Sequence, residues 1–402
     1  MYKKLALIAV IVLAMLMAAP GLAQDAENPT IAFLRYGGSS LISLSEKGIL
    51  DMLQAYGMIN EEERAVLDES EDLEGEHINV IYRDAGFDLP TVNLMIEDAL
   101  DNGADVLLTL STPVTQLAAN ITREMDDPPQ IIFAIVGTPY FAGVADTPCV
   151  KDDHIAGTQT DIPYEQYVNV LPTFNPDLKV IGTIVNASQA NSVFGAERIE
   201  ELAGELGIAV ETAGVTTLSD LPLATEGLIS KGAEAIVVPG GYTVSIGMSA
   251  IVDIATENGI AVFSPVSQHV YRGATVGAGF YSLYREGVIA ARMLVAHING
   301  EVDLSRTRIN LTPGFTVALN LDSAAEAGVE ISEELLAMAD WTIKDGGSSE
   351  GVSPELPEIG IELPAMTLDE RREADLEFLA GIHCTDEMIS EQKRQLETQW
   401  SD

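Results

Sequence analysis

The chain has 402 residues, 62 acidic and 21 basic, and a formal net charge of −41. This charge excludes nucleic acid and anionic membranes as partners, because both require a positive protein surface. With 47% hydrophobic residues, the chain can bury a core without disulfides or metals, and its length suits two ordinary domains. The acidic residues are typical of a solvated surface and show no cluster with the spacing of a cation site.

The N-terminus has the pattern of an export signal. Lys3 and Lys4 precede an uncharged apolar run, and Gly21 and Ala23 stand at positions −3 and −1 of a signal-peptidase site. The apolar run is shorter than the roughly 20 residues that span a membrane, although an uncleaved anchor is the alternative. We therefore predict a signal peptide over residues 1–23, cleaved near Ala23, and a periplasmic or otherwise extracytoplasmic protein.

A first series of alternating strands and helices covers residues 30–136. The predicted strands are Thr30–Arg35, His77–Arg83, Asp105–Leu110 and Gln130–Val136, and the predicted helices are Leu41–Tyr56, Thr91–Asn102 and Pro113–Met125. The strands are apolar without strict alternation, which is typical of a parallel sheet covered on both faces. An acidic insert, Glu61–Glu76, interrupts the series, and we expect it to be a solvated excursion.

A second series follows, and the pattern then fades. Its strands are Lys179–Val185, Ile208–Ala213, Glu234–Pro239 and Ile260–Ser264, and its helices are Ser192–Leu206, Leu221–Lys231 and Ile246–Glu257. Two such series predict two doubly wound α/β domains. A further helix is predicted over Arg285–Asn299, a linker over 345–364 and a helical segment over 367–396.

Motifs of catalysis are absent from the sequence. It contains no P-loop, dinucleotide fingerprint, nucleophile elbow or HExxH, and its two cysteines and five histidines lack metal spacing. We therefore expect no enzyme activity, no cofactor and no metal site. What remains is a set of polar or glycine-rich loops at strand ends, where open parallel sheets bind ligands, although each loop alone is also consistent with a plain turn. The loops are Tyr36–Ser40, Ser111–Pro113, Gly137–Tyr140, Asn186–Ser192 and Gly240–Thr243.

Four stretches carry a resemblance to a known family. They are LLTLSTPVTQLAA (107–119), IIFAIVGTPYFAGVA (131–145), VIGTIVNASQANSVFGAERIEELAGELGI (180–208) and ALNLDSAAEAGVEISEELLAMAD (318–340). From about Pro29 to Asp340 the chain resembles the substrate-binding proteins of ABC transporters, in the branch that includes tryptophan- and tyrosine-binding members.

The resemblance implies the type I periplasmic-binding-protein fold. In this fold two doubly wound parallel-sheet α/β lobes, joined by a hinge of three crossings, clamp a ligand between them. The expected N-lobe is 28–145 plus 273–311, and the expected C-lobe is 146–272 plus 312–340. The resemblance does not cover 341–402, which we interpret as a C-terminal linker and helical extension.

The resemblance also implies a ligand site. In the family, the threonine of Thr-Pro, an Asn-Ser pair and two aspartates help to hold an amino acid, and Thr112, Asn191 and Ser192 match the first two features. Where the family carries acidic residues, this chain has Gly241 and Gly279, and Thr138 replaces the aspartate of an Asp-Pro pair. The expected ligand-binding residues are Tyr36, Ser39, Ser40, Thr112, Thr138, Tyr140, Asn191, Ser192, Tyr242 and Tyr281.

These departures change the expected ligand. A buried ammonium without a partner is costly, so we expect weak binding of free α-amino acids. The tyrosines suit an aromatic or apolar ligand, with or without a carboxylate. Arg35 could meet such a carboxylate or could be a surface arginine.

The leading hypothesis is an exported, monomeric solute-binding protein that delivers a small organic molecule to an ABC permease. The alternative is a ligand-sensing module that reports to a membrane receptor. An exported chain with two cysteines most often pairs them, so we predict a Cys149–Cys384 disulfide that attaches the extension to the C-lobe near the hinge. Two buried thiols are the alternative.

Overall fold

The computed structural model describes residues 28–280, 283–349 and 362–399. The predicted signal peptide lies outside these residues. No helix in the described part of the chain is both long and apolar enough to cross a membrane.

Strands and helices alternate over most of the chain. The strands are β1 Thr30–Arg35, β2 Leu73–Glu74, β3 Asn79–Asp84, β4 Val106–Leu110, β5 Gln130–Val136, β6 Ala145–Thr147, β7 Val150–Lys151, β8 Ile155–Thr160, β9 Val180–Asn186, β10 Ala209–Val215, β11 Ala235–Val237, β12 Ala261–Val266, β13 Val276–Phe280, β14 Asn310–Thr312, β15 Thr316–Asn320, β16 Trp341–Lys344 and β17 Gly347–Ser348. The α-helices are α1 Ser40–Ala55, α2 Glu61–Asp68, α3 Leu89–Asp101, α4 Thr112–Thr122, α5 Tyr164–Asn169, α6 Leu171–Phe174, α7 Ala190–Glu205, α8 Leu221–Ser230, α9 Tyr242–Ile246, α10 Met248–Glu257, α11 Leu283–Ile298, α12 Leu321–Ala327, α13 Glu333–Met338, α14 Leu368–Gly381 and α15 Asp386–Gln399.

Two mostly parallel sheets define two lobes. The N-lobe sheet has the order β14-β8-β5-β4-β1-β3-β2, and only β2 and β3 pair antiparallel. The C-lobe sheet has the order β10-β9-β11-β12-β13-β15-β16-β17, with β13 antiparallel to β15 and β16 antiparallel to β17. Apolar strand residues are buried in each lobe because helices cover both faces. The predicted two-lobe α/β fold is confirmed.

The chain passes between the sheets three times, but not where the sequence predicted. The chain crosses to the C-lobe after Thr160, has returned to the N-lobe at α11, and crosses again after Thr312. The expected boundary at 145/146 is wrong because residues 145–151 form only a small hairpin, after which β8 returns to pair with β5. The boundary at 272/273 is wrong because β13 belongs to the C-lobe sheet, between β12 and β15.

Two other segments differ from expectation. The acidic insert is ordered: α2 begins with a capping box between Asn60 and Glu63, and Arg64 ties it to Asp51 of α1 at 2.9 Å. Residues 341–348, expected in the linker, instead form β16 and β17 at the edge of the C-lobe sheet. Trp341 is buried there and stacks on Tyr271. The C-lobe therefore extends past residue 340.

The C-terminal helices pack on the N-lobe. Asp375 of α14 forms an ion pair with Arg292 at 2.7 Å and accepts a hydrogen bond from the Tyr56 hydroxyl at 2.8 Å. Cys149 and Cys384 are joined by a disulfide. Because Cys149 lies between two N-lobe strands, the disulfide attaches the extension to the N-lobe. The expectation that it holds the extension to the C-lobe is wrong.

Candidate functional site

The strand-end loops of the two lobes face each other across a cleft. Tyr36 follows β1 in the N-lobe, and Tyr242 opens α9 in the C-lobe. Their rings meet edge to face with centroids 5.7 Å apart. Tyr242 packs within the N-lobe hydrophobic core although its backbone belongs to the C-lobe. This contact across the cleft shows that the lobes are closed on each other.

A cavity of about 70 Å³ lies between the lobes. Its lining comprises Ser39, Ile42, Ile135, Gly137, Thr160, Ile162, Asn191, Gly240, Gly241, Tyr242, Ser245, Ile246, Val266, Arg272 and Leu283. A second space of about 410 Å³ lies next to Tyr36 and Phe87, against the C-lobe residues Thr216–Ser219. The first cavity has room for a few water molecules, so a larger ligand requires the lobes to part.

Three of the expected site residues line this cavity: Ser39, Asn191 and Tyr242. Ser39 is the N-cap of α1, and its Oγ accepts a hydrogen bond from the Ile42 amide at 3.3 Å. Asn191 lies in the first turn of α7, and its Oδ1 is buried without a hydrogen-bond partner among the described residues.

The C-lobe wall is held by a hydrogen-bond network. Asn186 and Gln189 both donate to Thr243 Oγ1 at 2.9 Å, and Gln189 accepts from the Tyr242 amide at 3.1 Å. Ser192 is fully buried, and its Oγ accepts from the Asn186 amide at 3.0 Å. Ser192 therefore fixes the loop, and Asn191 beside it faces the cavity.

Further expected residues are buried near the cleft without lining the cavity. Thr112 and Thr138 are buried, and the hydroxyl of each lacks a partner in the described chain, as does the hydroxyl of Ser111. Burial raises the pKa of Tyr242, whose hydroxyl lies beside that of Ser111 and makes no well-aligned hydrogen bond within the described residues. Buried polar groups are normally paired, so this concentration of unpaired hydroxyls indicates a place for a polar partner.

Other expected residues lie elsewhere or cannot be placed. Tyr140 packs against the N-lobe core, and burial raises its pKa. Arg35 forms ion pairs with Glu46 at 3.0 Å and with Asp84 at 2.5 Å, so its guanidinium group is bound by carboxylates of the N-lobe. The Ser40 side chain and the whole of Tyr281 are outside the described part of the structure.

At two positions where the family carries acidic residues, local packing explains why this chain has glycine. A Cβ at Gly279 would overlap the carbonyl oxygen of Pro265, because β13 and β12 approach closely at their ends. A Cβ at Gly241 would lie 3.2 Å from that of Ser192. The local packing therefore opposes any side chain at position 279 and leaves little room at 241.

Sequence reasoning missed Glu286, Thr160, Arg272 and the apolar lining. Glu286 is 1% exposed and occupies the buried face of α11, beside Ile289 and Ala290. An acidic residue among apolar positions of an amphipathic helix was the available signal. Arg272 donates to the Ser245 carbonyl at 2.6 Å, and burial lowers its pKa. Nowhere in the described chain are three or more His, Cys, Asp or Glu arranged to hold a metal.

Two α/β lobes closed on a cleft, around which several polar atoms have no partner among the described residues, define a binding protein of the two-lobe class. The family model of the ABC transporter substrate binding protein matches residues 56–343. The chain belongs to this family of binding proteins, which are not enzymes and which act outside the cytoplasm.

Known proteins resemble this chain at low identity. A tyrosine-binding protein of Clostridioides difficile is 24% identical over 263 residues, covering 64% of this chain and 75% of that protein. An ABC domain from Streptococcus pneumoniae, solved with L-Trp, is 22% identical, covers 79% of this chain and all of that one, and has a TM-score of 0.68. A conserved domain protein from Vibrio cholerae has a TM-score of 0.69 at 23% identity, with 79% of this chain and 100% of that chain covered.

Proposed function

We propose that this protein captures an aromatic or apolar small molecule, with or without a carboxylate, and delivers it to an ABC permease. One observation carries the proposal: the interlobe cavity combines apolar walls, such as Ile42, Ile162 and Val266, with polar atoms that have no partner in the described part of the chain. Apolar pockets with a few convergent polar groups are typical of small-molecule sites. Relatives that bind tyrosine or L-Trp support an aromatic ligand.

The proposal includes an export step and a monomeric state. A signal peptide removed near Ala23 would place the mature chain where its family acts. N-terminal sequencing of the exported protein tests the cleavage site, and light scattering of purified protein tests the monomer. A sensing role with a membrane receptor would use the same cleft, and a permease copurifying with ligand-loaded protein favours delivery.

The ligand can be sought in the protein itself. Protein purified without denaturation is unfolded, and the released small molecules are identified by mass spectrometry. Recovered compounds are returned to ligand-free protein in calorimetry. Release of no small molecule, together with no binding from a panel of aromatic acids, amines and amino acids, would contradict the proposal.

A matched pair of variants locates the site. Asn191→Ala removes a cavity-lining amide, whereas Asn258→Ala removes an exposed amide in the same lobe. We expect the first to weaken binding by about tenfold, since an unpaired or lost hydrogen bond costs about 1.4 kcal/mol. The second should leave binding unchanged.

A further inference from the structure

Glu286 is a fully buried carboxyl next to the cleft. It lies in the first turn of α11, which packs so closely on α1 that a Cβ at the neighbouring Gly287 would overlap the carbonyl oxygen of Ser45. Glu286 itself is 1% exposed.

One oxygen of Glu286 is held by residues of the cavity wall. Its Oε2 accepts hydrogen bonds from the Thr160 hydroxyl at 2.7 Å and from the Ile135 amide at 3.1 Å. Both donors line the interlobe cavity, as does Leu283, one turn before Glu286 on α11. The carboxyl therefore lies directly behind the cavity wall.

The backbone of Ile135 is strained at this contact. Ile135 has φ of 58°, a left-handed conformation that β-branched residues rarely adopt, and it lies where the β5–β8 pairing shifts register. Such strained conformations concentrate at functional sites. Here the amide of the strained Ile135 donates a hydrogen bond to Glu286, and Ile135 also lines the cavity.

The second oxygen of Glu286 is a buried acceptor. Its Oε1 is buried and makes no hydrogen bond within the described residues. After burial, the charge of Glu286 is the largest influence that raises the pKa of Tyr242, and the Ser111 side chain lies beside the Tyr242 hydroxyl and lowers that pKa. The hydroxyls of Tyr242 and Ser111 lie next to each other, and neither has another hydrogen-bond partner within the described residues.

Glu286 also has no countercharge among the described residues. Burial raises its pKa to about 8, opposed by the Thr160 and Ile135 hydrogen bonds, and no cationic side chain of the described residues contributes. The strands β5 and β8 carry no charged residue, and the half-buried Asp161 follows β8. Several charged groups on the helices packed nearby pair with residues other than Glu286. On α1, Glu46 pairs with Arg35 and Tyr82, and Lys47 pairs with Asp51. Asp51 also pairs with Arg64 and Tyr284, and Asp375 of α14 pairs with Arg292.

We propose that Glu286 receives the protonated amino group of the ligand, so that the cleft selects aromatic or apolar amines. This inference rests on the proposed function and specifies which functional group of the ligand the site recognises. The ligand supplies the cation that the buried carboxyl lacks, and the free Oε1 accepts its N–H donors. Glu286 thus provides, from α11, the acidic group whose absence at positions 138, 241 and 279 predicted weak binding of α-amino acids.

Paired probes test the amine. L-tryptophan is compared with indole-3-propionate, L-tyrosine with 3-(4-hydroxyphenyl)propionate, and tryptamine and tyramine are added as amines without a carboxylate. Calorimetry should show that the amine of each matched pair binds roughly 10- to 100-fold more tightly. Glu286→Gln, which keeps an acceptor for Thr160 and Ile135, should remove that preference.

Glu46→Gln is the control variant. Glu46 is also a buried glutamate of the N-lobe, but it pairs with Arg35 and Tyr82, and neither of these partners lines the cavity. We expect this variant to retain the preference for amines.

Proton release gives a second readout that needs only the wild-type protein. Because the Glu286 pKa of about 8 lies above neutrality, binding a cation at pH 7 should expel about one proton. The proton count comes from binding enthalpies in buffers of different ionisation enthalpy. An amine should release about one proton, and its desamino partner should release none.

The outcomes separate the two proposals. If desamino probes bind as tightly as amines, or if amines bind without proton release, the Glu286 proposal is overturned while the solute-binding function stands. If Glu286→Gln folds and keeps the amine preference, it is likewise overturned. If no small organic probe binds and none copurifies, the proposed function fails and the Glu286 assignment fails with it.

Discussion

The ring of Tyr242 from the C-lobe meets the ring of Tyr36 from the N-lobe edge to face, with an interplanar angle of 80°. Gln189 supports both partners: it accepts from the Tyr242 amide and interacts with the Tyr36 hydroxyl. The pair therefore links lobe closure to the loops that border the cavity.

Removing this contact should open the protein. Tyr242→Ala deletes a buried aromatic side chain and an aromatic pair worth about 0.5–1.5 kcal/mol beyond its area, so the ligand-free population should shift toward separated lobes. Small-angle scattering should report a larger radius of gyration. Tyr140→Ala, within the N-lobe alone, is the control, and equal radii for the two variants would contradict the assignment.

Glu286 should make the unliganded protein less stable as pH rises. An unfolded glutamate has a pKa near 4.5, whereas the folded value is about 8, so between these values unfolding releases a proton. Its contribution to the free energy of unfolding therefore falls across that window. Glu286→Gln has no titrating carboxyl at this position. The melting temperature of the variant minus that of the wild type should therefore increase from pH 5 to pH 8. Parallel melting curves at all pH values would refute this.

Ionic strength should raise stability. With a net charge of −41, self-repulsion disfavours the compact state at low salt. Salt at about 0.1 M shortens the screening length to roughly 10 Å and relieves this repulsion. The melting temperature should rise from low to moderate sodium chloride, and a flat or falling trend would argue against the explanation.

The cysteines should be unreactive in the unreduced protein. Thiol titration after unfolding should find no free thiol, and two per chain would exclude the disulfide. Cys149→Ser with Cys384→Ser should lower the free energy of unfolding by about 2–5 kcal/mol, because the disulfide closes a long loop. Reduced wild-type protein should match the double variant.

Restoring a family-like side chain at Gly279 should damage the fold. Gly279→Ala places a Cβ against the Pro265 carbonyl, and overpacking of this kind costs roughly 1–3 kcal/mol. Gly204→Ala is the control, since its Cβ would meet nothing within 4 Å on an exposed face of α7. Denaturant unfolding compares them, and equal stability of both variants would show that β13 can move aside.

The sequence predicted the regular elements well where apolar runs are continuous. Thr30–Arg35 and Gln130–Val136 have the predicted bounds in the structure. The strand Ile155–Thr160 was missed because its sequence, IAGTQT, has few apolar residues and is defined by pairing with β5 and β14. Lobe boundaries depend on such pairings, which no local pattern encodes.

The site was predicted only where loops follow strands. Asn191 and Tyr242 lie in such loops or just after them and line the cavity. Glu286 was missed because its role depends on a helix that reaches the cleft from a distant part of the chain. The two residues that donate hydrogen bonds to Glu286 lie far from it in the sequence. Ile135 is 151 residues before it, and Thr160 is 126 residues before it.

The disulfide between positions 149 and 384 has a consequence for the covalent connectivity of the chain. The entire C-lobe lies between these positions, so both ends of this segment are fastened to the N-lobe by covalent bonds. A single protease cut at an exposed C-lobe loop therefore frees no fragment. The nicked protein would migrate as one species on a non-reducing gel and separate into two pieces only after reduction.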